Sequence, residues 1–281
     1  MNKLDDLKKR TGSSIIAAVL VAIIIYFSNI LFIKPLIAIL ICALSYVATL
    51  EYINFLKIKN VHLSPSLLIF FVIAEILAFF FYSMFPNLSL LPSLLIFVFF
   101  LAMFLVNFKS LEGSLKRISH SVFGFFYIAI PFSMFLPIIF IGNIEMQDGR
   151  MWILYLILVT KITDIAAYFF GKLFGKKKLA FKISPNKTIV GAVAGLVFAT
   201  FTSIIFSFFS KENFFELNLI ESIFLGLVLG VFSQFGDLCE SLLKRDVKIK
   251  DSAKIPGLGG ILDMIDSLTF NVPILYFYLI G

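Results

Sequence analysis

The chain is a succession of unbroken apolar runs, each about 20 residues long, the length an α-helix needs to cross a bilayer core. Short connections between the runs hold most of the charge. In lipid, every backbone N–H and C=O must find its partner within the protein. A continuous apolar run can therefore cross only as a helix, whereas barrel strands would show short alternating segments. Composition agrees: 60% of the 281 residues are apolar and 15% charged, against about half and about a quarter in soluble domains. That surplus is too large for one globular core. The expected fold class is all-α, a polytopic membrane helical bundle of about nine transmembrane helices. The candidate spans are 14–33, 35–56, 66–85, 88–108, 121–141, 151–170, 189–209 and 219–238, with a shorter one over 268–281. The first is too long for a signal peptide and is followed by no small-residue cleavage site, so it is expected to be retained. Pro35, Pro65, Pro86 and Pro92 fall at or near span ends, where a missing N–H costs little, while Pro131 and Pro137 fall inside the fifth span.

The charges alternate from connection to connection. Lys3, Lys8, Lys9 and Arg10 precede the first span, Lys57 and Lys59 follow the second, and Lys109, Lys116 and Arg117 follow the fourth. Lys172, Lys176, Lys177, Lys178, Lys182 and Lys187 follow the sixth, and Lys244, Arg245, Lys248, Lys250 and Lys254 the eighth. The odd-numbered connections hold only Lys34, Arg150 and Lys211. By the positive-inside rule this places the N-terminus in the cytoplasm. With no internal repeat and no long linker, residues 1–281 read as a single membrane domain: 1–140 mainly scaffold helices, 151–281 the helices and loops that carry chemistry. Cys42 lies in an apolar run and Cys239 at the end of another, and they suggest neither a disulfide framework nor a metal cluster. His62 and His120 are assigned to short polar connections.

Ionisable residues within spans are costly and point to function by default. Glu51 and Glu221 lie near span ends, where snorkelling accounts for them. Glu75 is mid-span, with a structural hydrogen bond and a functional role equally matched. Lys161 and Asp164, three residues apart in the sixth span, share a helix face, with Tyr168 a turn further on. Because the richest polar loop follows directly, they are expected to wall a cavity open to the cytoplasm.

That loop, Gly171 to Thr188, is lysine-rich and leads through Ser184-Pro-Asn-Lys-Thr188 into the next span. A helix start there, with Lys187 and the hydroxyls of Ser184 and Thr188, would suit a phosphate. Lys176, Lys177 and Lys178 fit anionic lipid headgroups. After the eighth span, Asp237, Ser241 and Lys244 fall on one helical face. Lys250, Asp251 and Ser252 follow, then Pro256-Gly-Leu-Gly-Gly260, whose glycines permit close backbone approach, then Asp263 and Asp266 at a spacing of three. Carboxylates bordering apolar segments, separated by a glycine turn and set among Lys and Arg, are what phosphate with Mg²⁺ requires: hard oxygens hold the metal, and the metal and the cations share the phosphate charge.

The stretches Ser241–Ser252 and Pro256–Ser267 resemble the C-terminal signature of the phosphatidate cytidylyltransferase (CDP-diacylglycerol synthase) family. Asp164-Ile-Ala-Ala-Tyr-Phe-Phe-Gly171, Gly175, Ser184–Thr188 and Gly191 resemble its other motif, and Leu7–Arg10 fits as well. The layout matches along the whole chain, with the specific match over about residues 164–191 and 236–267. Leu258 and Met264 stand where the family usually has His and Arg, Ile189 and Val190 replace a usual Trp-Glu, and the segment between Asp251 and Pro256 is a residue short. All the aspartates and glycines are kept, which argues against an indispensable chemical role for the replaced His and Arg.

The resemblance implies that CTP and phosphatidate are the substrates and CDP-diacylglycerol and pyrophosphate the products, at the cytoplasmic face of a bacterial inner membrane. The lipid phosphate is ionised near neutral pH, so neither a strong base nor a covalent nucleophile is required; positioning and charge neutralisation suffice. Asp237 and Asp263 are then expected as metal ligands for Mg²⁺, with or without a second cation, Asp266 close by and Asp164 a further candidate. Lys244, Arg245 and Lys250 would hold the phosphates. Ser184 and Lys187 would close the cavity, with Ser241, Asp251, Gly259 and Gly260 also in substrate binding. Membrane lipids are expected partners, nucleic acid is not, and a homodimer stays open. A CTP-dependent polyprenol or dolichol kinase would release CDP instead of pyrophosphate. A secondary transporter would use Lys161 and Asp164 as an ion site but predicts inverted repeats, which are absent. A CDP-alcohol phosphotransferase would need an Asp-Gly-x-x-Ala-Arg type of motif, also absent.

Overall fold

A computed structural model of the chain describes residues 19–108, 111–142, 148–210, 215–253 and 259–280. Lys3, Lys8, Lys9, Arg10, Lys109, Lys211, Lys254, the Pro256-Gly257-Leu258 part of the signature and the start of the first expected span lie outside the described residues. Helix α1 covers residues 19–27 of those described. It is followed by α2 (Lys34–Ile58), α3 (Pro65–Met84), a 3-10 turn at Pro86–Leu88, α4 (Leu91–Asn107), α5 (Ser114–Ile139) and α6 (Gly149–Phe174). A hairpin of β1 (Lys178–Ala180) and β2 (Ser184–Thr188) precedes α7 (Ile189–Phe209), α8 (Leu219–Asp246), the short α9 (Ile261–Ile265) and α10 (Leu268–Ile280). Among the described residues seven helices are long and apolar enough to cross a membrane, and α10 is a shorter apolar helix. The expected helical membrane architecture is present. Large apolar side chains stand exposed along the helices, Phe70, Leu105, Phe208 and Ile220 among them, as expected where lipid is the solvent. The protein is a multi-pass membrane protein.

Helix boundaries follow local chemistry. Pro35, Pro65 and Pro92 occupy the first turns of α2, α3 and α4, where their missing N–H has no helical partner to lose. Asp148 caps α6 by accepting from the Arg150 N–H at 2.9 Å. Asn218 and Glu221 form a capping box at the start of α8, so Glu221 caps a helix instead of snorkelling. Helix α5 begins seven residues before the apolar run suggests, because Gly113, with φ of 69°, takes the left-handed turn that starts it. His120 is therefore helical, not part of a connection.

The chain divides into two compact units, residues 1–140 with 251–262 and residues 141–250 with 263–281. In the first, α3 packs on α2, α4 and α5. Phe99 and Phe125 stack at 4.2 Å, and Gly124 lets the Tyr52 ring lie against α5, where its hydroxyl donates to the His120 carbonyl at 2.8 Å. Glu75 is fully buried and neither carboxyl oxygen has a hydrogen-bond partner among the described residues; the structural hydrogen bond considered for it is not made there. In the second unit, α6, α7 and α8 pack closely because Gly191, Gly195, Gly226 and Gly230 present no side chain at the crossings. Trp152, Tyr155 and Phe215 fill its core.

Candidate functional site

The second unit gathers most of the ionisable residues singled out in the sequence. The lysine-rich segment after α6, expected as a loop, folds back as the β1–β2 hairpin, with Lys178 opposite Thr188 and Ala180 opposite Ser184. Pairing satisfies backbone groups that a loop would leave to water. Thr188 ends the hairpin and caps α7, its Oγ1 accepting from the Gly191 N–H at 3.1 Å. Gly171 and Gly175 let the Thr188 side chain approach α6; an added Cβ at either would run into it. The Thr188 oxygen thus caps the helix, and Thr188 also lines the cavity described below.

Helix α8 outlasts its apolar run, continuing to Asp246. At 1.5 Å per residue its 28 residues extend about 42 Å, against roughly 30 Å of hydrocarbon. Its last turns therefore carry Asp237, Glu240, Ser241, Lys244 and Arg245 as helical residues. The Ser241 hydroxyl donates to Asp237 at 3.3 Å, the expected shared face. Lys187 of β2 crosses to α8, pairing with Asp237 at 2.7 Å and donating to the Gln234 carbonyl at 3.3 Å. Gln234 in turn donates to the Ala192 carbonyl of α7 at 3.1 Å.

Two more carboxylates approach Asp237. Gly236 lies so close to the Asp266 carbonyl that an added Cβ would overlap it, and this missing side chain lets the Asp266 turn press onto α8. Asp164 accepts from Ser233 at 3.4 Å and Ser267 at 3.3 Å, with the Lys161 ammonium 3.9 Å away. Burial first, and then the neighbouring Asp237 carboxylate, push the Asp266 carboxyl up to about 7, against the opposing pull of the Ser267 N–H bond. Asp164 adds to the rise. The group is a cluster of hard oxygens short of positive charge, the electrostatic setting that favours a divalent cation. Among the described residues, however, no three ligating side chains converge on one ion position. A metal here would draw further ligands from water or phosphate, as Mg²⁺ commonly does.

A cavity of about 570 Å³ adjoins this cluster, lined among others by Asp164, Lys172, Lys178, Asn186, Lys187 and Asp237. Its size is that of a small-molecule site, and both signs of charge reach it. Asp164 lines this cavity, as the polar loop that follows its span suggested, while Lys161 is not among the lining residues.

Asp263 and Lys244 are not among the residues that line this cavity. Lys244, 8% exposed, pairs with Asp263 at 2.5 Å and with the fully buried Glu240. Glu240, missed in the sequence, balances the lysine; its place on the same α8 face, four residues before Lys244, was the available signal. Arg245 is exposed and donates to the carbonyls of Ile183 at 3.3 Å and Ile249 at 2.9 Å. Lys250 and Asp251 are exposed, and Ser184 is half-buried at the start of β2.

In the first unit, Gly259 adopts φ of 78°, a left-handed conformation that glycine tolerates. Gly260 approaches the Glu51 carboxylate and the Ser252 hydroxyl so closely that a Cβ would collide with both. Glu51 does not snorkel: it is 4% exposed and accepts three hydrogen bonds, from Ser252 Oγ and from the backbone of Ile261 and Leu262.

Comparison with known proteins agrees over the full length. A family described as the Cytidylyltransferase family matches residues 8–280. The chain is 35% identical over 278 residues to the phosphatidate cytidylyltransferase of Bacillus subtilis, covering 98% of each chain. It is 43% identical over 176 residues to that of Chlamydia pneumoniae, spanning 61% of this chain and 57% of the relative. It is also 46% identical over 135 residues to that of Staphylococcus haemolyticus, spanning 48% and 51%. The chain thus spans little more than half the length of several curated relatives it matches, and nearly the whole of the Bacillus subtilis protein.

Proposed function

Since the chain belongs to the cytidylyltransferase family, we propose that it transfers the cytidylyl group of CTP to phosphatidate, giving CDP-diacylglycerol and pyrophosphate. The observation that carries this reading is the near full-length similarity to the Bacillus subtilis phosphatidate cytidylyltransferase. Its physical support is the polar cavity beside Asp164, Asp237 and Lys187, at the ends of apolar helices, where a soluble nucleotide and a two-tailed lipid would both have access.

A phosphatidate oxygen attacks the α-phosphorus of CTP. A phosphorus–oxygen bond forms to the lipid phosphate, the bond to the β-phosphate bridge breaks, and pyrophosphate carries the electron pair away. The attacking oxygen is already ionised, so the residues supply position and charge. Lys187, Lys178 and Lys172 line the cavity and offer donors to phosphate oxygens. Arg245, which keeps guanidinium N–H groups beyond its two backbone bonds, and the exposed Lys250 add positive charge for the phosphates. Asp237, Asp266 and Asp164 would hold Mg²⁺, with Asp263 a further ligand once released from Lys244. When bound, Mg²⁺ neutralises phosphate charge at the reacting centre. The one-sided lysine distribution supports a cytoplasmic N-terminus and a site on the cytoplasmic face of a bacterial inner membrane.

The test is purified protein with phosphatidate, labelled CTP and Mg²⁺. Pyrophosphate and CDP-diacylglycerol are the expected products; release of CDP with a phosphorylated lipid would overturn the reading in favour of a lipid kinase. Asp263→Asn with normal Mg²⁺-dependent transfer would remove Asp263 from the metal site.

A further inference from the structure

Among the described residues of the first unit Glu51 is the carboxylate with the most hydrogen bonds, and the chemistry above gives it no task. Its Oε1 accepts from the Ile261 N–H at 2.8 Å, and its Oε2 from the Leu262 N–H at 3.0 Å and the Ser252 hydroxyl at 2.8 Å. These partners lie about two hundred residues along the chain. Both amides belong to the first turn of α9, whose leading N–H groups have no carbonyl of their own helix to bond. A side chain of α2 therefore supplies the cap that the local sequence, Gly259-Gly260, cannot. Gly260 leaves room for it, since any Cβ there would meet the Glu51 carboxylate and the Ser252 hydroxyl. A carboxylate is the suitable group. Both oxygens accept, three donors are present, and a buried N–H left unpaired is costly.

We infer that Glu51 is a positioning residue: by binding Ser252, Ile261 and Leu262 with one carboxylate it fixes the backbone from which Asp263, the next residue, is presented. This rests on the cytidylyl-transfer reading for its effect on rate, but the anchoring itself can be measured without activity.

Glu51→Gln keeps the volume and loses one accepting oxygen, so either the Ile261 or the Leu262 N–H must lose its partner, while the Ser252 hydroxyl can turn to accept. Hydrogen exchange on the purified protein should show faster exchange of the Ile261 and Leu262 amides, with a peptide from α3 unchanged. Supporting contacts of this kind commonly change activity roughly ten- to a hundredfold. The expected signature is a fall of that size in kcat, KM for CTP and phosphatidate within about twofold, and partial recovery in Glu51→Asp, which keeps both oxygens. Gly260→Ala should be as damaging as Glu51→Gln in the native background, yet add little to the double variant Glu51→Ala, Ser252→Ala, where both groups that fill the space are gone. Unchanged amide exchange in Glu51→Gln overturns the anchoring. Faster exchange with kcat within about twofold of the native enzyme overturns the positioning role. If the native protein releases no pyrophosphate from CTP and phosphatidate, the cytidylyl reading and the rate effect resting on it fail; the exchange result and the Gly260 cycle, read by thermal unfolding, then decide the anchoring alone.

Discussion

Two of the lysine–aspartate ion pairs described in the second unit differ sharply in their surroundings. Lys187 meets Asp237 at the wall of a cavity, with side chains 22% and 34% exposed. Lys244 meets Asp263 and Glu240 with side chains 10%, 14% and 0% exposed. The first pair is half-solvated, so each member can exchange its partner for a phosphate oxygen or a cation at little cost. The second is closed, and removing one member strands charge in a dry environment. On the proposed reading Lys187 is open to substrate whereas Lys244 is held against Asp263 and Glu240, and burial separates the two.

The widest separation should come from Lys244→Ala. Breaking a buried pair costs about 3–5 kcal/mol, so thermal unfolding in detergent should show a large destabilisation, with activity lost as a consequence. Asp237→Asn should do the reverse: roughly ten- to a hundredfold less activity at a nearly unchanged unfolding temperature. If the two variants behave alike in both measurements, the distinction between an open and a closed pair is wrong. Lys187→Met should raise the KM for CTP by about tenfold, the loss of one charge-assisted contact of about 1.4 kcal/mol, with a smaller effect on kcat. Lys250→Ala, on an exposed side chain, should change KM by no more than about threefold at low salt, the difference shrinking as salt screens it.

Much of this was legible in the residues. Apolar run length marked the helices, Asp164 and Asp237 were picked out by charge where charge is expensive, and Lys187 as a cation before a helix start; the structure places all three at one cavity. Partners were harder to read. Asp263 looked like a free ligand because its lysine lies nineteen residues away in sequence. Glu240 was overlooked beside the more evident Asp237. The β1–β2 hairpin hid in a lysine-rich stretch because neither strand has an alternating apolar face to betray it. Glu51 looked like a snorkelling residue because its three donors lie near the other end of the chain.

By itself the sequence determined the solvent of this protein, the helices that cross it, and the residue types from which a phosphate site must be built. Those follow from run length, charge cost and composition, which are properties of single segments. The tertiary structure decided which carboxylate is open and which is closed, that Thr188 caps a helix, and that Gly260 makes room for Glu51. Each depends on what a side chain meets across the fold, where the partner's distance and burial set the energy, and no local pattern carries that information.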